Sequence, residues 1–427
     1  MIVELPYSGE TITVAVPDAN FDRLLQPNEV PEERATEAAV RPALRAPVGS
    51  EPLSRLAPAG AKVCIIVDDI SRPTPTHLVV PAVLEELHAA GVEPDDILIL
   101  FGLGSHRAMT KQEMEFKLGA DICARFRVDN SEFTDKSRMQ YLGEAEPGAE
   151  IWLDRRVVEA DLRVAVGNIV PHGAVGWSGG GKMIYPGIAS ADTVANYHMK
   201  SGLIPENLLG QHEPSSRIEM ERWVEYVGLE FIVNTILTRE MRLYKVVAGH
   251  YVHAHRAGII HAERVYAVPF DRRADIAIVS AYPAEADFWQ AGKGILSAEK
   301  VLVDGGTLIL VAPCPEGHGP HPRFAEYVGA DDAEDQLAGM IGRVGELDER
   351  EDPLALAVAV ILVRIRKRVR VVVVSPGLSD EVVREARFTP ASTAQEALDG
   401  ALSHHGPGSR VIAITHGSEV LPKMNEQ

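Results

Sequence analysis

Short apolar runs recur along the chain at residues 63–67, 96–101, 162–166, 231–237, 274–280, 307–311, 371–375 and 411–415. Each is too short for an ordinary helix, and most lack the alternation of a half-wet strand, so they read as strands buried on both faces. Between them the apolar period lengthens to that of helices. One helix runs to about Ala90 and stops at Gly91, with Pro81 expected near its first turns. Thr110 and Glu113 form a capping box for a helix ending near Gly119, and Ser190 caps a helix over 191–201 stopped by Gly202. Further helices are expected over 220–227, about 286–302, 352–368 and 392–402. Residues 2–5 and 11–16 flank Ser8-Gly9 as a hairpin, and 27–60, rich in Pro, Glu and Ala, reads as a surface connection with room for one helix. Strand and helix alternate in both halves, so the expected class is α/β, with two open α/β domains facing a cleft that holds the site. The first domain is expected over 1–270 and the second over 274–404, the break falling near 270–273. The segment 408–427, with its strand 411–415, is a candidate to return to the first domain.

Composition narrows the picture. At 427 residues the chain exceeds one ordinary core. A net charge of −19 without a long polybasic run argues against nucleic acid or an anionic membrane surface as partner. The basic cluster 364–370 (RIRKRVR) reads as a helix C-terminus favoured by cations. The apolar run at 354–363 is too short to span a bilayer. MIVELPYSGE has no basic segment leading into an apolar one, and Cys64, Cys123 and Cys314 are scattered without a CxxC pair, so a reducing cytoplasm is expected.

Candidate chemistry concentrates in 167–199, GNIVPHGAVGWSGGGKMIYPGIASADTVANYHM, directly after an apolar strand. Gly176, Gly181 and Lys182 satisfy GxxxxGK, but Met183 stands where a phosphate loop needs Ser or Thr. Pro186 would also fall inside the helix that should cradle phosphate. What remains is a glycine-lined loop able to approach an anionic ligand closely, with one lysine projecting from it. Three strand ends deliver Asp69 with Arg72, then His106, then His172 with Lys182, which argues for one shared site at the carboxyl edge of a sheet. Two histidines from different strands suit acid–base work from opposite sides of a substrate. His250, His253, His255 and His261 face different helical sides and read as polar-surface histidines rather than a metal site.

Pro171-His172, Ser178-Gly179-Gly180-Gly181-Lys182, Pro186-Gly187-Ile188 and the stretch from Asn196 to His198 resemble the nickel-pincer-nucleotide lactate racemase family. The resemblance extends to Asp68-Asp69-Ile70-Ser71-Arg72-Pro73-Thr74-Pro75, to Gly104-Ser105-His106-Arg107 and to Trp289-Gln290-Ala291-Gly292-Lys293-Gly294. It covers most of the chain up to about Gly317, and roughly the last quarter carries no matching motif.

The resemblance implies a racemase or epimerase of a 2-hydroxy acid, lactate-like or larger. Its cofactor would be a nickel-pincer nucleotide, a pyridinium mononucleotide with two sulfur groups holding nickel. Lys182 would carry the cofactor and His198 would complete the nickel coordination. Asp69 and the loop Ser178, Gly179, Gly180 and Gly181 would hold the nucleotide. His106 and His172 would be the acid–base pair, and Arg72, Gln290 and Lys293 would bind the substrate. Cofactor-synthesis proteins are implied as partners. The α C–H of a 2-hydroxy acid is barely acidic, and hydride movement needs an electron sink that side chains do not supply. Two alternatives stay open: a zinc or nickel hydrolase with His106, His172 and His198 as direct ligands, and a non-catalytic anion-binding protein using the glycine loop.

Overall fold

A computed structural model describes residues 1–30, 39–348 and 350–425. The first six-stranded sheet has the spatial order Leu243–Gly249, Phe231–Leu237, Leu162–Asn168, Val63–Asp68, Ile97–Gly102, Arg127–Asn130. Its strands run parallel except the first, which pairs antiparallel with Phe231–Leu237. Along Val63–Asp68 the side chains alternate between two cores: Val63, Ile65 and Val67 belong to one cluster, Cys64 and Ile66 to the other. That is why the strand reads as continuously apolar, since both faces of the sheet are covered.

The second six-stranded sheet is parallel throughout, in the order Thr389–Pro390, Arg370–Val374, Leu302–Val311, Ala274–Ser280, Val411–Ile414, Phe21–Leu25. The same alternation holds: Ile276 and Ile278 face one core, Ala277 and Val279 the other. The two-sheet α/β class expected from the sequence is therefore what the chain adopts.

Strand membership differs from the sequence reading in two places. The expected return of 411–415 to the first domain does not occur, because Val411–Ile414 lies inside the second sheet. Of the last stretch only Leu421–Met424 turns back, pairing with Ala267–Phe270 as a two-stranded ribbon. The start of the chain also sits with the second sheet, not with the first domain as the 1–270 boundary placed it. The hairpin Ile2–Tyr7/Glu10–Ala15 buries Val3, Leu5 and Val14 in one cluster with Ile276 and Ile278, and Phe21–Leu25 forms the sheet edge.

Helices depart mainly at their ends. Thr76–Ala89 starts directly after Pro75, which puts Pro81 in its second turn, near the first turns as expected. Ser215–Val224 begins earlier than expected, and Phe288–Lys300 begins later because Asp287 accepts the Gln290 N–H at 2.7 Å as its cap. The capping box at Thr110 and the Ser190 cap form as read. The connection 27–60 lies partly outside the described residues, and its described part holds Val40–Arg45 and Leu53–Leu56. The basic run at 364–370 ends Pro353–Arg368, where Arg366 and Arg368 bind carbonyls of neighbouring segments as well. No helix among the described residues is long and apolar enough to cross a membrane.

Candidate active site

Both sheets turn the carboxyl ends of their strands toward one cavity. Its wall includes Asp69, Arg72, His106, His172 and Lys182 from the first sheet's loops, His198 from the helix Ala191–Gly202, and Gln290 and Lys293 from the helix Phe288–Lys300. Open α/β sheets place ligands at this edge because strand ends and helix starts leave polar groups there.

The loop after Val63–Asp68 is fixed from beneath. Asp68 is buried against Lys117, 3.2 Å away, and accepts a bond from the Thr74 hydroxyl. Lys117 also donates to the carbonyls of Arg72 and Thr74 at 2.9 and 3.0 Å. Asp68 is therefore structural. Asp69, expected to hold a nucleotide, is engaged within the chain: Oδ2 lies 2.6 Å from His106 Nδ1, and Oδ1 accepts the Ser71 hydroxyl at 2.6 Å. Burial alone would raise its carboxyl, but His106, Arg72 and Ser71 hold it well below the usual range. An ionised Asp69 can only accept, so His106 Nδ1 carries the proton and Nε2 presents a lone pair.

That lone pair meets Gln290 Nε2 at 2.9 Å. The carbonyl oxygen of the same amide lies 2.6 Å from Lys293 Nζ and 3.3 Å from Arg72 Nη1. Burial, with Arg72 and Lys182 nearby, pushes the Lys293 ammonium well below its ordinary pKa.

His172 is built differently. It sits in the short pair Pro171–His172/Gly176–Trp177, and its Nδ1 accepts the Ala174 N–H at 3.1 Å. The proton of the neutral ring therefore lies on Nε2. Burial and the cations Lys182, Lys293 and Arg72 push its pKa well down, so the neutral form holds. His106 thus offers an acceptor and His172 a donor.

Lys182 Nζ finds no hydrogen-bond acceptor or carboxylate among the described residues. Burial, then Arg72 and Arg217, lowers it from 10.5 to about 7, making it a nucleophilic amine near neutrality. On the helix Ala191–Gly202, His198 gives its Nδ1–H to the Val194 carbonyl at 2.8 Å, which leaves Nε2 as a ligand lone pair. Burial pushes this ring down to about 4, so it stays neutral at physiological pH.

Beneath the glycine loop lies a layer that sequence reasoning missed. Arg217 is fully buried and donates to the carbonyls of Trp177, Val175 and Gly179. His255, read as a surface histidine, is also fully buried, and its Nε2 lies 2.8 Å from the Ser178 carbonyl. Its apolar helical neighbours were the available signal. Asn234 accepts the Gly180 N–H at 2.9 Å. The Ser178 hydroxyl, expected to reach a nucleotide, is spent on the loop: it donates to the Asn168 carbonyl at 2.7 Å and accepts the Val170 N–H at 2.8 Å. Asn168 itself lines the cavity with neither side-chain amide atom partnered. A buried amide of this kind is completed by water or by a polar ligand. Across the cleft, His321 pairs with Asp352 at 2.6 Å, approaches the Ser105 hydroxyl at 3.3 Å and packs on Trp289.

Among the described residues no three His, Cys, Asp or Glu side chains are grouped to hold a metal ion. The three-histidine hydrolase therefore lacks its ligand set here. One histidine and one unpaired lysine fit a group that arrives with its other ligands already attached.

Residues 7–208 match the family model described as lactate racemase N-terminal domain, and residues 270–421 match the lactate racemase C-terminal domain. The lactate racemase of Lactiplantibacillus plantarum is 30% identical over 99% of both chains. That of Thermoanaerobacterium thermosaccharolyticum is 29% identical over 98% of both. The structure of the lactate racemase apoprotein from the latter organism superposes with a TM-score of 0.86 at 28% identity, covering 99% of this chain and 100% of that one. A Thermotoga maritima crystal structure shares the fold at a TM-score of 0.71 and 20% identity, over 93% of this chain and 100% of that one.

Proposed function

The chain belongs to the lactate racemase family, and from that premise we propose that it inverts the configuration at C2 of a 2-hydroxy acid, with His106 and His172 as the acid–base pair. One observation carries this reading: the Gln290 amide already stands where such a substrate would. It offers an N–H to His106 and an oxygen to Arg72 and Lys293. A hydroxyl on the base and a carboxylate between two cations would make the same contacts, with the carboxylate better matched to the charge.

The roles follow from the tautomers. His106 Nε2 takes the hydroxyl proton of one enantiomer, and the resulting imidazolium is balanced by Asp69. His172 faces the site from a different strand. Once its ring takes up a second proton at Nδ1 and gives up the Ala174 N–H, the imidazolium returns its Nε2 proton to the oxygen of the product of opposite hand and is left neutral, with its lone pair at Nε2. In the reverse direction the two exchange tasks. Arg72 and Lys293 hold the carboxylate so that C2 can present either face. The lysine-tethered nickel-pincer nucleotide implied by the resemblance would supply the hydride acceptor and donor at C2 when bound. Lys182 suits its covalent attachment, His198 Nε2 its metal, and Asn168 with the Gly179–Gly181 backbone its polar periphery. Loading it would require cofactor-synthesis proteins as partners. Asp69, with its carboxylate on His106, is assigned to positioning that ring.

The test is a single turnover of each pure enantiomer by the cofactor-loaded His106→Ala and His172→Ala variants, with borohydride trapping of enzyme-bound 2-keto acid. Net racemisation should fall roughly 100- to 10,000-fold in both. Each variant should trap keto acid from the enantiomer served by its surviving histidine. The same residual preference in both variants, or full activity in either, rules out the two-base reading.

A further inference from the structure

We infer that the substrate is a 2-hydroxy acid whose C2 side chain is a branched aliphatic or aromatic group larger than methyl, an inference that rests on the racemase reading above. The hydroxyl, carboxylate and hydrogen of C2 have places between the histidines, on the cationic pair and toward the cofactor. The fourth substituent must lie against the wall that remains.

That wall is apolar. Leu354, Val358, Ile361 and Leu362 line the cavity from the helix Pro353–Arg368, joined by Trp289 and Leu296 from Phe288–Lys300. The spacing of the four puts them along one helical face, where Leu354 and Leu362 are also buried in the protein cores and Val358 and Ile361 pack partly against the second sheet's core, which Leu356, Ala359, Val360 and Val363 fill. Val358 and Ile361 keep part of their surface open, unlike the core face.

The wall abuts the reacting groups. Leu362 Cδ1 lies 3.5 Å from where a β-carbon on Gly292 would be, in the turn that carries Gln290 and Lys293. Leu296 Cδ1 lies 2.3 Å from the corresponding point on Gly173, the residue after His172. A substituent directed away from the clamp therefore faces the leucines that pack beside Gly292 and Gly173. Among these six side chains the indole N–H of Trp289 is the single strong hydrogen-bond donor. A second carboxylate or a chain of hydroxyls would be desolvated there without partners. A methyl group would leave most of the wall uncovered. Each buried methylene is worth roughly fourfold in binding, so three more carbons should bring about 10- to 100-fold in kcat/KM.

The experiment uses cofactor-loaded enzyme whose Lys182 adduct has been verified by mass. kcat/KM for racemisation is measured with enantiopure lactate, 2-hydroxy-4-methylpentanoate, 2-hydroxy-3-phenylpropanoate and malate. The branched or the aromatic acid should exceed lactate by about 10- to 100-fold, with malate slowest. Val358→Thr, nearly isosteric, should shrink the ratio of branched acid to lactate several-fold. Lactate or malate turned over as fast as the larger apolar acids would overturn the substrate class and leave the racemase reading intact. Failure of adduct-bearing enzyme to racemise any of the four would sink the racemase reading, and this inference with it.

Discussion

Lys182 should titrate near neutrality in the cofactor-free protein. Its ammonium is buried in the cavity wall, close to Arg72 and above the buried Arg217, and these bring it from 10.5 to about 7. The difference corresponds to about 5 kcal/mol between the charged and neutral forms. At pH 7 half of the molecules would carry a neutral amine, against about one in 3,000 for an ordinary lysine. Nucleophilic attachment to a cofactor would then need no separate base at this position. The assay is 13Cε NMR of labelled lysine in the apoprotein across pH 5 to 10, with the Lys182 resonance assigned by its absence in Lys182→Met. Removing a repelling charge should restore the ammonium, so Arg72→Met should move the midpoint upward. A wild-type midpoint above about 9, or an Arg72→Met midpoint no higher than wild type, would show that the cavity does not activate this amine.

Two further outcomes need no cofactor. His198 is held neutral, with its folded pKa of about 4 below its ordinary 6.5. Between those values the unfolded chain binds the proton first, so stability falls as pH drops from 6.5 toward 4. On going from pH 7.5 to 5, His198→Gln should lose about 2 kcal/mol less than wild type in urea unfolding. An equal acid loss in both would contradict the burial argument. Gly179 has φ +75° and ψ −169°, a region nearly closed to other residues, and a β-carbon there would lie 2.8 Å from Asn234 Oδ1. Gly179→Ala should cost about 2–4 kcal/mol. Gly339→Ala, in a helix with open space around it, should be neutral or slightly stabilising, and similar losses in the two would show that the loop conformation is not the cause.

What the sequence made legible was local or periodic. Val63–Asp68, Ile97–Gly102 and Leu162–Asn168 announce themselves as apolar runs, and the polar residues immediately after each are the ones that converge. The caps at Thr110 and Ser190 are contained within four residues and form as read. What escaped depends on distant partners. Phe21–Leu25 alternates too weakly to be read as a strand and is fixed by its pairing with Val411–Ile414. Arg217 and His255 look like surface residues until the loop carbonyls they hold are brought over them. Asp69 could be read as a ligand for a nucleotide because nothing in one dimension places it against His106.

The pairing of Phe21–Leu25 with Val411–Ile414 sets an order of events during synthesis. Asn20 binds a carbonyl 389 residues away in the chain, so the edge of the second sheet waits for nearly the whole polypeptide. The first sheet is contained between Val63 and Gly249, and it can close as soon as that segment emerges. Lys182, His198, His106 and His172 therefore leave the ribosome before Gln290 and Lys293 do, and the amino-terminal strand has no sheet partner until the last parallel strand arrives to receive it.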